Sequence, residues 1–152
     1  MWLFNQRARV APRTMSMIWL AALLLGASGV PVAAPAANPQ AAAEAAASTW
    51  LALVDAQEYG RSWRDAASYV RQTVSESAWA SSVARARAIC GPLKSRQLKS
   101  AYATHYLPDS PDGHYVVIHY SSRFTNKPRA IETITMVEES PDHWHVIGYY
   151  IN

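Results

Sequence analysis

The sequence predicts an α+β fold in which N-terminal helices pack on a curved, four-stranded antiparallel meander sheet. Apolar residues recur at helical spacing before Pro92 and at alternating positions after it. Short segments rich in Pro, Asp, Asn and Gly separate the alternating stretches, which favours strands that are antiparallel neighbours. A run of helices followed by a run of strands is typical of this class.

The first 36 residues have the order of a secretory signal peptide. A basic stretch precedes an apolar run that begins at Met17, and small residues follow it. Cleavage is expected after Ala36, which leaves 37–40 as a linker and 41–152 as a single domain. An uncleaved membrane anchor is the alternative, although the run is shorter than the about 20 apolar residues of a spanning helix. We therefore expect a periplasmic or secreted protein that meets the membrane only through this segment, if it is uncleaved.

The basic charge of the chain belongs to this leader. Arg7, Arg9 and Arg13 are three of the 14 basic residues, so that 11 basic and 11 acidic residues remain after residue 36. Binding to nucleic acid by phosphate neutralisation needs a basic patch or face. The neutral balance of the remaining chain therefore predicts no nucleic-acid partner.

Three helices are predicted. The first covers 41–58, which is rich in alanine, and Gly60 is its expected stop. The second is short and covers 62–68. The third begins near Ser75, whose hydroxyl can cap the first turn, and ends at Gly91.

Four strands follow. We expect them over 93–106, 114–124, 130–138 and 144–151. Strict alternation in the last strand would place on one face Trp144, Val146, Gly148 and Tyr150. Two apolar pairs compete for the core face of the third strand, and these are Ile131 with Val137 and Ile134 with Met136.

Large apolar side chains and one thiol are assigned to the core. Four tryptophans are most simply core residues, and these are Trp50, Trp63, Trp79 and Trp144. A ligand-stacking platform is the alternative for one of the four. Cys90 is the single cysteine, so an exported domain has no internal disulfide. We interpret it as a buried, inert thiol, with a reactive or dimer-forming thiol as the alternative.

Several short motifs together resemble one protein family. They are Trp50-Leu51-Ala52-Leu53-Val54-Asp55, Trp63, Lys94-Ser95-Arg96, Leu107-Pro108, Pro111-Asp112-Gly113, Tyr115, Glu132-Thr133, Trp144 and Gly148-Tyr149-Tyr150-Ile151. Over most of 46–151 the chain resembles the bacterial family catalogued as "domain of unknown function 4019". The resemblance implies an exported bacterial protein and no activity. The order of elements is also similar, by analogy, to the cystatin-like and nuclear-transport-factor-2-like folds, and fold alone does not define function.

Glu132 is the most informative polar residue. It lies inside an otherwise apolar strand, where a carboxylate either faces solvent or is buried and paired. Arg96 and Arg123 are its candidate partners. One interpretation is a purely structural ion pair. The other places Glu132 with Arg96, Tyr149 or Tyr150 in the concavity of the sheet, as a binding site for a small polar ligand.

The sequence offers little for metal or cofactor chemistry. His143 and His145 share a face of one strand, but His114 and His119 lie on opposite faces of another and cannot both complete a site. We interpret the pair as water-facing histidines, and we predict neither a metal nor a cofactor.

Three functions remain open at this point. The first is a non-catalytic exported binding or accessory module of the cell envelope, whose partner is a small ligand or an envelope protein. The second is a structural envelope protein that forms homo-oligomers through an exposed sheet face. The third is an enzyme similar to ketosteroid isomerase, with Glu132 as the base and Tyr149 or Tyr150 as the hydrogen-bond donor.

Overall fold

The computed structural model describes residues 38–108 and 110–152. The helices are α1 (Pro39–Asp55), α2 (Tyr59–Arg64), α3 (Ser68–Thr73) and α4 (Glu76–Cys90). The strands are β1 (Leu93–Thr104), β2 (Tyr115–Phe124), β3 (Ala130–Ser140) and β4 (His143–Ile151). The strands lie in the order β1-β2-β3-β4, and each neighbouring pair is antiparallel. The predicted α+β fold with a meander sheet is confirmed, while the predicted signal peptide lies outside the described residues.

Helix α1 begins earlier and ends earlier than predicted. Asn38 is its N-cap, because its side chain accepts a hydrogen bond from the backbone N–H of Gln40. Pro39 occupies the first turn, where its missing N–H costs nothing. Two residues of the predicted linker 37–40 are therefore helical. The helix ends before Gln57, which adopts a left-handed φ of 61°, so Gly60 is not the stop. No helix of the described residues is both long and apolar enough to cross a membrane.

The predicted single helix over 62–68 is wrong, because α2 and α3 are separate there. The link between them runs along β4, where Ala66 forms a parallel bridge with Val146. The backbone N–H of Ala67 donates to the carbonyl of Val146 at 2.8 Å. This link occupies the edge of β4 at Val146 and satisfies a backbone group there that would otherwise be unpaired.

A β-bulge in β4 reverses the alternation that the sequence predicts. Thr135 pairs with Gly148, whereas the next residue, Met136, pairs with Val146, so Ile147 is the extra residue. After the bulge, Tyr149 rather than Tyr150 faces the helices. The predicted grouping of Tyr150 with Trp144 and Val146 is therefore wrong.

The core lies between the helices and one face of the sheet, which we call the helix-covered face. Ile134 and Met136 belong to it, and the competing pair Ile131 and Val137 does not. Its other buried members include Trp50, Leu51, Val54, Val83, Val116, Ile118, Trp144 and Val146. The opposite face, which we call the open face, carries Arg123, Ile131, Thr133 and Tyr150. Val70 of α3 and the preceding residues Ala66 and Ala67 form a small cluster that packs against part of this face.

The tryptophans and the cysteine have the environments that the sequence predicts. Trp50 and Trp144 are buried, while Trp63 and Trp79 are half-buried and pack against core clusters. Cys90 is buried against Phe124 and Ala130. Trp50 also donates its indole N–H to the carbonyl of Ser62 at 2.8 Å, which connects α1 to α2.

Trp50→Ala is expected to lower the free energy of unfolding by about 3–5 kcal/mol, because it removes a buried ring and leaves the Ser62 carbonyl unpaired. Urea unfolding followed by circular dichroism measures this. Tyr106→Ala is the matched control, since Tyr106 is 68% exposed and should change stability by less than about 0.5 kcal/mol. Equal stabilities of the two variants would contradict this assignment of the core.

Candidate functional site

The centre of the candidate site is the carboxylate of Glu132 on β3. Glu132 lies opposite Tyr120 of β2 and Ile151 of β4, on the helix-covered face. The residue is fully buried, with 0% of its surface exposed. Burial of an unpaired carboxylate is strongly unfavourable, so the surrounding side chains must compensate its charge.

Arg96, one of the two predicted partners, is the main partner of Glu132. Its Nε donates to Oε2 at 2.6 Å and its Nη2 donates to Oε1 at 3.0 Å. Two such parallel bonds form the strong fork geometry of an arginine with a carboxylate. The alternative partner, Arg123, is wrong because it lies opposite Ser95 and points to the open face. Arg96 is the next residue along β1 and lies opposite Ser122. Its side chain therefore points to the helix-covered face, where Glu132 lies.

Two hydroxyl groups complete the shell around Glu132. Ser122 donates to Oε2 at 2.5 Å and Tyr149 donates to Oε1 at 2.7 Å. Burial, followed by the adjacent charge of Glu132, raises the pKa of Tyr149 well above its usual range. Tyr150, the alternative donor, is 62% exposed and lies on the open face, apart from this cluster.

Two further charged residues close the arrangement. Arg87 of α4 approaches Oε1 of Glu132 at 3.5 Å through Nη1 and Oδ1 of Asp55 at 2.9 Å through Nη2. Asp55, at the end of α1, also accepts two bonds from Arg96, at 2.7 and 3.1 Å. The guanidinium of Arg87 lies 4.8 Å from the ring centre of Phe124. We call Asp55, Arg87, Arg96 and Glu132 the charged ring; its formal charges sum to zero.

Both arginines of the charged ring remain protonated. Burial by itself would lower the pKa of Arg96, but its hydrogen bonds to Asp55 and Glu132 outweigh burial and raise that pKa. For Arg87, burial is outweighed by Tyr149 and by the charges of Asp55 and Glu132, and its pKa is also raised. The two guanidinium groups of the ring therefore keep their positive charges across the pH range in which proteins are folded.

Three residues around Glu132 were not predicted from the sequence, and these are Arg87, Asp55 and Ser122. A signal for Arg87 was present, because Val83, Arg87 and Cys90 recur at helical spacing and all three are buried. Asp55 follows Leu51 by four residues on the buried side of α1. Ser122 could be found only once the register of β2 against β3 is known.

The hydrogen-bonding capacity of the Glu132 carboxylate is already used within the cluster, and in this sense the charged ring is closed. Each oxygen of Glu132 already accepts bonds from a guanidinium and from a hydroxyl. A general base needs a free lone pair within hydrogen-bond reach of the proton that it abstracts. The charged ring ties together α1, α4, β1 and β3, and the hydroxyl donors Ser122 and Tyr149 add β2 and β4. It therefore has the properties of a structural element.

Glu132 lines neither of two cavities found elsewhere in the described part of the chain. The larger, of about 440 Å³, is a groove lined by Ser95, Gln97, Ser121, Ser122, Arg123, Pro128, Arg129, Ala130, Ile131 and Asn152. The smaller, of about 270 Å³, is lined by Ala46, Thr49, Trp50, Asp65, Met136, Trp144, His145 and Val146. The groove opens on the open face, because alternate residues of β1 and β2 line it.

The predicted histidine pair is held by local hydrogen bonds. His143 donates from Nδ1 to the carbonyl of Pro141 at 2.8 Å, and His145 donates from Nδ1 to the carbonyl of Asp65 at 3.0 Å. Within residues 38–108 and 110–152 no three His, Cys, Asp or Glu side chains are placed to hold one metal ion.

The fold and the site define an α+β domain that has a closed, charge-neutral ionic core and a polar groove on the opposite sheet face. The chain belongs to the family described as "Protein of unknown function (DUF4019)", which matches residues 46–149. This confirms the resemblance found in the sequence. Comparison with curated proteins and with solved structures finds no match.

Glu132→Gln is expected to lower the free energy of unfolding by about 3–5 kcal/mol, because it leaves two buried guanidinium groups with one carboxylate. Urea unfolding measures this. Glu76→Gln is the matched control: it removes a carboxylate 2.7 Å from Arg64 on the surface, where an ion pair contributes at most about 1 kcal/mol. If the two variants lose equal stability, the charged ring does not stabilise the fold.

Tyr149→Phe should reduce the fall of the unfolding free energy with rising pH in the alkaline range. The pKa of Tyr149 is raised in the folded state, so its contribution is complete below the unfolded pKa of about 10 and is lost as pH rises above that value. Wild type should therefore lose more unfolding free energy than Tyr149→Phe between about pH 9 and about pH 11. Denaturant unfolding across that range tests this, with Tyr150→Phe as the control that should keep the wild-type slope. Parallel profiles for wild type and Tyr149→Phe would refute the assignment.

Proposed function

We propose that this chain is an exported, non-catalytic binding or accessory module of the bacterial cell envelope, and that it takes its ligand in the groove on the open face. One observation carries the proposal. The carboxylate and tyrosine that the sequence offers for catalysis are engaged in a buried, closed cluster, whereas two arginines of the groove are exposed.

Export is supported by the sequence of the leader. A basic stretch, an apolar run and small residues precede the folded domain in the order of a secretory signal. The family resemblance supports the same compartment. The mature domain would begin near Ala37, directly before the Asn38 cap of α1.

The groove has the dimensions and lining of a binding site. Its volume of about 440 Å³ lies within the range of small-molecule pockets. Ser95 and Gln97 of β1 lie opposite Arg123 and Ser121 of β2, which brings hydroxyl, amide and guanidinium groups to one surface. Ile131 adds an apolar contact from β3.

The isomerase-like hypothesis has less support. A carboxylate base must reach its substrate, but Glu132 is fully buried and Arg96, Ser122 and Tyr149 occupy its oxygens. Its other candidate donor, Tyr150, faces the opposite side of the sheet.

Self-association through the open face is the second candidate. Tyr102 and Tyr150 are 50% and 62% exposed, and both lie on this face. Tyrosine is enriched at protein interfaces because it combines an apolar ring with a polar tip. The exposed tyrosines, rather than the groove, would then be the contact surface.

The test is a fragment screen by amide chemical shifts on the purified protein. Neutral, anionic and cationic fragments should produce saturable shifts at Gln97, Ser121 and Ile131. Ser121→Trp fills the groove and should weaken binding by about tenfold or more. Ser82→Trp, at a position on α4 that is also exposed, should not weaken it. Shifts that persist in Ser121→Trp would contradict the proposal, and concentration-dependent dimerisation in sedimentation would favour the second candidate.

A further inference from the structure

We propose that the groove on the open face binds a phosphate monoester, held by Arg123 and Arg129. This inference rests on the proposed function, since it names the ligand class of the same groove.

The arginines of the described chain fall into two groups. Five donate to a carboxylate or a backbone carbonyl, and these are Arg61, Arg64, Arg71, Arg87 and Arg96. The side chains of Arg85, Arg123 and Arg129 have no such partner among the described residues. Two of these three, Arg123 and Arg129, line the same groove. Arg85 lies on the exposed surface of α4 and serves as an internal reference.

Charge is separated along the length of the sheet. The end that contains the β1–β2 connection and the β3–β4 turn carries Asp112, Glu138, Glu139 and Asp142. The other end, where the groove lies, carries Lys94, Arg123, Lys127 and Arg129. Between residues 120 and 131 the sequence has no acidic residue. An anion is thus attracted to the groove end and repelled by the opposite end.

The donors in the groove suit a tetrahedral anion. Arg123 projects from β2 and Arg129 lies in the turn before β3, so that two guanidinium groups approach from different elements. Ser95 and Ser121 provide hydroxyl groups, and Gln97 and Asn152 provide amides. Phosphate oxygens accept several hydrogen bonds in different directions, and the planar guanidinium forms two parallel bonds with them.

The charge of the groove distinguishes a phosphate monoester from a carboxylate. A phosphate monoester carries about −1.5 to −2 charges at neutral pH, which matches the two arginines, while a carboxylate carries one. The lining has no acidic side chain that would neutralise either arginine. The monoester is therefore the better match, both for a free small molecule and for a lipid headgroup that ends in phosphate.

The experiment titrates the purified protein at constant ionic strength with glycerol 3-phosphate, inorganic phosphate and acetate, and follows the amide shifts of Gln97, Ser121 and Ile131. Constant ionic strength matters because salt screens exposed charges. Arg123→Gln and Arg129→Gln should each weaken phosphate binding by about tenfold or more. Arg85→Gln removes the same charge outside the groove and should leave binding unchanged.

Co-sedimentation with phosphatidylcholine vesicles, with and without phosphatidic acid, separates the two sources of the phosphate group. Saturable binding of glycerol 3-phosphate supports a soluble ligand, and binding to the acidic vesicles alone supports a lipid headgroup, provided that Arg123→Gln abolishes it. Equal binding of acetate, or an equal loss in Arg85→Gln, would overturn the inference. If neutral fragments shift the groove amides while phosphate does not, the phosphate inference fails and the proposed function stands.

Discussion

The negative charge of Glu132, which is held away from water, determines much of this structure. A buried carboxylate is tolerated only when positive charge and hydrogen-bond donors surround it. Arg96 and Arg87 supply the charge, and Ser122 and Tyr149 supply further donors. These side chains come from β1, β2, β4 and α4, so the requirement of one residue on β3 constrains how the helix layer sits on the sheet.

Two arginines beside one carboxylate would leave an excess of positive charge, and Asp55 removes it. The cost of desolvating Glu132, Arg87 and Arg96 is large, and an apolar core of equal volume is often at least as stable. The geometry of the ring instead favours one arrangement of α1 against α4, because a shift of either helix would separate Asp55 from Arg87 or Arg96. The groove proposed as the ligand site lies on the open face, where Arg123 and Arg129 are exposed.

The sequence predicts the order of the elements, and it offers Arg96 as one of two partners for Glu132, because a buried carboxylate needs a positive charge beside it. It does not predict that Tyr149 rather than Tyr150 faces Glu132, since that depends on the bulge at Ile147. Asp55 was missed for a related reason: only the packing of α1 on the sheet brings it to the arginines. The groove joins β1, β2 and the turn before β3, and no local pattern encodes that juxtaposition.

The link at Ala66 and Ala67 also has a consequence for how the sheet can grow. Because this link occupies the edge of β4 at Val146, the edge of β1 is the one along which another strand would meet no such link among the described residues. Lys94 and Lys99 lie on that strand, and lysines on an edge strand oppose the approach of a second chain. Cross-β assembly at the β1 edge would therefore have to overcome the repulsion of these like charges.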